Sequence, residues 1–163
     1  MKATAPFLVA AALLALAGEA RAQTITKQAL TLDGAKAVAA AAVAEARRGN
    51  EGGSIAIVDD GGNLMYLERV EPTFPMGAHI SIEKARTAAL FQRPSKVLED
   101  AIVGGRSSLL AVVPGPLQGG EPLTVNGQVV GAIGVSGAAS AARDQAIALA
   151  GAAALGGTSS ASK

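Results

Sequence analysis

Residues 117–137, LQGGEPLTVNGQVVGAIGVSG, decide the fold. Residues 121–126 read as a short strand, Asn126-Gly127 is a two-residue hairpin signal, and residues 128–135 return as a buried apolar strand. Gly127 suits a turn position with positive φ. Gly131 and Gly134 remove side chains from inside the returning strand, leaving gaps that a neighbouring backbone or a flat ligand can occupy. Gly137 then leads toward an alanine-rich helix over 138–155, whose first free N–H groups can hold an anion.

Upstream, Pro114-Gly115-Pro116 is a stiff loop, and residues 107–113 read as another strand behind Gly104-Gly105. Residues 80–92 and 95–103 predict two helices separated by Pro94, the second with Ser95 as its cap. Pro72 and Pro75 make 71–78 an irregular connection. Runs 54–58 and 64–70 form a second hairpin through Asp59-Asp60-Gly61-Gly62-Asn63, an acidic loop without calcium-ligand spacing that reads as a solvated turn. The first helix covers 35–48, with candidate caps at Thr31-Leu32-Asp33 and Arg47 and Arg48 at its negative end. Tight turns force antiparallel neighbours, so the class is α+β: roughly five strands in one meandering antiparallel sheet, with three main helices packed against it.

The N-terminus reads as an address. Lys2, the apolar run 7–17 and the Ala20-Arg21-Ala22 cleavage pattern identify residues 1–22 as a secretory signal peptide, which predicts a periplasmic or secreted protein. Cleavage leaves 12 of the 14 basic and 12 of the 13 acidic residues, a balance that argues against nucleic acid as a partner. No integral membrane segment is expected after cleavage. Residues 23–155 form the domain, and the small polar stretch 156–163 reads as a disordered tail. With no cysteine, disulfides, thiolate catalysis and CXXCH haem attachment are excluded together.

Three segments in order, SIEKARTAALFQRPS at 81–95, LQGGEPL at 117–123 and GQVVGAIGVSG at 127–137, resemble the GlcG/HbpS haem-binding family, which is related to the PduO C-terminal domain. The resemblance spans about residues 31–155. It implies a profilin-like fold, homo-oligomers, and haem as cofactor, with a role in haem capture, buffering, sensing or breakdown. Some relatives place a histidine ligand in or near the first helix. Residues 24–48 here contain none, so His79 is the imidazole available to iron.

The residues leave several roles open. His79 can be a structural histidine, an iron ligand or an acid–base group. Lys84, Arg86 and Arg93 can meet haem propionates or form a solvated cationic face, with Arg86 and Arg93 about two turns apart. Gly134 and Gly137 can line a slot for a ligand. An alternative function is an enzyme acting on a small carboxylated or oxo metabolite, with Lys84 as base or acid, although the sequence carries no recognised catalytic motif. A third is a non-catalytic structural oligomer.

Overall fold

The computed structural model describes residues 25–156, so the signal-peptide reading and all but the first residue of the expected tail lie outside the described residues. The described elements are helix α1 (Leu32–Arg48), strands β1 (Gly53–Asp59) and β2 (Leu64–Val70), helices α2 (Gly77–Phe91) and α3 (Ser95–Val103), a 3-10 turn (Ser107–Ala111), strands β3 (Gly120–Val125) and β4 (Gln128–Ser136), and helix α4 (Ala141–Gly156). The α+β class stands, but among the described residues the sheet has four strands, not five. The expected strand at 107–113 is instead the 3-10 turn, closed by local bonds such as Val112 N–H to Leu109 C=O. It does not add to the free outer edge of β3, the last strand of the sheet.

Nor does the sheet meander. Its order is β2-β1-β4-β3, two hairpins joined through antiparallel β1 and β4. Each hairpin follows its turn chemistry. Asn126 and Gly127 both take positive φ (50° and 79°), the geometry whose twist suits adjacent strands. Asp59 accepts hydrogen bonds from the Gly61 and Asn63 N–H groups, so the acidic loop is a self-bonded turn. Thr31 caps α1 by accepting from Gly34 N–H at 3.1 Å. Ser95 does not cap α3. Pro94 precedes the helix, while the Ser95 hydroxyl donates to Leu117 C=O and accepts from Gly120 N–H, pinning the start of β3.

Both faces of the sheet are covered. The larger side chains Ile55, Ile57, Leu123, Ile133 and Val135 pack under α1 and α4. The opposite face carries small residues beneath α2, including Ala132 and Gly134, with Val58 against Ala85, Ala88 and Ala89. That asymmetry brings the α2 backbone down onto the strands. A methyl at Gly134 would sit 2.0 Å from Ser81 C=O, and one at Gly120 would sit 2.2 Å from Lys84 C=O.

Alternation on β3 puts Glu121 with Leu123 on the α1–α4 side, where Glu121 is only 6% exposed. No hydrogen bond or ion pair holds its carboxyl among the described residues, and burial pushes it from an ordinary 4.5 up to about 7. The folded chain therefore binds a proton that the unfolded chain releases. The stability this confers is complete below about pH 4.5 and is lost as pH rises through about 7. We expect Glu121→Gln to remove a loss of about 3 kcal/mol between those limits. Urea unfolding at pH 5 and pH 8 checks this: the wild type should weaken relative to the variant at the higher pH.

Candidate functional site

The close approach of α2 to the sheet decides where Lys84 goes. Its side chain is 4% exposed, and its ammonium donates to Val135 C=O and to Asp144 Oδ2, each at 2.8 Å. Asp144 comes from the first turn of α4, and its Oδ1 accepts the Ala138 N–H at 2.9 Å. One buried ion pair thus ties α2, the end of β4 and the start of α4 together. A lysine ammonium has three donors, and the third has no partner among the described residues.

The pair lies at the wall of a cleft of about 280 Å³ between α2 and the start of α4. Ser136 and Gly137 line it from the sheet, Glu99 from α3, and Phe74 from the connection before α2. Glu99 Oε2 accepts the Gln118 N–H at 3.0 Å. Ser136 is 4% exposed, and its hydroxyl makes no hydrogen bond among the described residues. Behind Gly77 and Gly137, the buried hydroxyls of Ser54 and Thr73 also lack partners.

Of the residues singled out in the sequence, Lys84 and Gly137 meet in this cleft. The others lie elsewhere. Gly134 is not open to a ligand, because the Ser81 and Ala85 backbone fills the space beside it. Arg86, about 200° around the helix from Lys84, donates to Gly62 C=O and pairs with Glu83. Arg93 does not share a helical face with Arg86: α2 ends at Phe91, Gln92 turns left-handed at φ 52°, and Arg93 stands exposed beyond it. His79 is exposed on the first turn of α2, without a hydrogen bond among the described residues. About 18 Å of helix separates it from Phe91, so Arg93 and His79 do not converge on one site.

Sequence reasoning missed Asp144, Ser136 and Glu99. Asp144 reads as an ordinary acidic residue in a helix first turn, and its separation of 60 positions from Lys84 hides the pairing. Ser136 stands beside Gly134 and Gly137, and its signal is a polar residue closing the apolar run 129–135.

Comparisons with known proteins bear on this arrangement. A family model described as "Haem degrading protein HbpS-like" matches residues 30–153. Protein GlcG of Escherichia coli K12 is 45% identical over 112 residues, covering 68% of this chain and 84% of that protein. A crystal structure of a double mutant of Streptomyces reticuli HbpS superposes with a TM-score of 0.76 at 33% identity, covering 83% of this chain and 92% of the other. The crystal structure of a PduOC–heme complex shares the fold, with a TM-score of 0.70 at 24% identity, covering 78% of this chain and 95% of the other.

Proposed function

Because this chain belongs to the HbpS-like family, we propose that it is an exported haem-binding protein that captures, buffers, senses or breaks down haem. The family match across residues 30–153 is the observation that carries the reading. Export is supported by the sequence of residues 1–22, and among the described residues no helix is long and apolar enough to cross a membrane.

His79 is the chain's one imidazole, and its exposure leaves the ring free to reach iron. Phe74 and Met76, 45% and 57% exposed, precede it on the same stretch and supply apolar surface for a flat macrocycle. His79 would hold a bound haem through an imidazole nitrogen on its iron, and the haem would supply that iron's ligand-binding chemistry. Lys84 and Gly134 do not fit a shared cradle with it, because the Lys84 ammonium is buried in the cleft between α2 and the start of α4 and the α2 backbone fills the space at Gly134. A ligand held at so open a surface needs a second wall, which a second copy of the chain can provide. Homo-oligomerisation is supported by exposed apolar side chains on the α3-to-β3 segment: Val97, Val103, Leu110, Val112 and Leu117.

A hemin titration of the purified protein, followed at the Soret band, tests the reading. Saturable binding with a shifted band is expected, and linear absorbance growth indistinguishable from free hemin would overturn it.

A further inference from the structure

We propose that the Lys84–Asp144 cleft is a second binding site, adjoining the haem surface at Phe74, for a small carboxylate that also carries a hydroxyl or amino group. Its size sets the scale. At about 30 Å³ of liquid per water-sized group, a cleft of about 280 Å³ admits a molecule of on the order of nine non-hydrogen atoms.

The donors are grouped on one wall. The unused Lys84 N–H and the Ser136 hydroxyl both belong to side chains more than nine-tenths buried, and neither has a partner among the described residues. Beside them Ser140 and Ala141 open the positive end of α4, a helix of 16 residues. The Ser136 hydroxyl opens on the cleft, where a ligand can bond it. Asp144 does not repel an incoming carboxylate at full strength, because the Lys84 ammonium 2.8 Å away offsets its charge.

The opposite wall asks for a donor. Glu99 Oε2 takes the Gln118 N–H, which leaves Oε1 to accept from the ligand. A carboxylate alone would leave Glu99 facing a like charge, whereas a hydroxyl or ammonium on the same molecule satisfies it. Phe74 and Leu117 at the mouth suit a short carbon skeleton.

Amide proton–nitrogen correlation spectra of the labelled protein, titrated in separate arms with L-lactate, L-alanine and propionate, test this. Saturable shifts are expected at the amides of Gln118, Gly137 and Ala141, with lactate or alanine binding more tightly than propionate. Response to lactate alone identifies a hydroxyl donor, and response to alanine alone an ammonium; either supports the site. Ser136→Ala removes a hydroxyl that bonds nothing in the fold, so the variant stays folded and should bind about tenfold more weakly. The proposal is overturned if neither lactate nor alanine gives saturable shifts there, if propionate binds equally well, or if Ser136→Ala leaves the affinity unchanged.

Discussion

Lys84→Met is expected to lower the unfolding free energy by about 3–5 kcal/mol, because it breaks a buried ion pair from one side only. The methionine fills all but the last atom of the lysine side chain's space but strands the Asp144 side chain, 8% exposed, without its cation. Leaving one buried charge unpaired costs more than removing both. The double variant Lys84→Met/Asp144→Leu should therefore recover most of the loss, short of the Ala138 N–H bond that it also forfeits. In a domain of this size the single variant should melt roughly 10 °C or more below the wild type. Thermal unfolding of the two variants decides it: a single-variant loss under about 1 kcal/mol, or no recovery in the double, would mean that the pair is not the bolt between α2 and α4.

Gly134→Ala should be nearly as damaging, by about 3 kcal/mol or more. The added methyl would lie 2.0 Å from Ser81 C=O and 2.6 Å from Ala85 N, and these are backbone atoms that cannot step aside as a flexible side chain could. Relief requires α2 to lift from the sheet, which loosens Val58, Ala85, Ala88, Ala89 and Ala132 together. Gly127→Ala provides the contrast. Its methyl would meet nothing within 4 Å, so only the positive φ of 79° is penalised, by about 1 kcal/mol. Chemical denaturation should rank the two variants in that order, and equal losses would contradict the close packing of α2.

What the sequence made legible followed from local chemistry. Asn126-Gly127 announced its hairpin because few residues accept positive φ in succession, and the run 64–70 matches β2 end to end. The run 107–113 misled because so short an apolar stretch has no periodicity to separate a strand from a helical turn. Among the site residues, Gly134 was legible as a place of close approach but not as to what approaches; a helix backbone, not a ligand, takes the space. Arg93 was misplaced by extending α2 past Phe91, where the left-handed Gln92 ends it. Asp144 was out of reach, since nothing local marks it as the partner of Lys84.

The most direct measurement of the haem account is the Soret titration with hemin carried out on the wild type and His79→Ala side by side. Because His79 is exposed and bonds nothing among the described residues, the variant should keep the wild-type melting temperature. Wild-type protein should bind hemin saturably, and His79→Ala should lose that binding. Binding retained undiminished in the variant, or absent from both proteins, would contradict it.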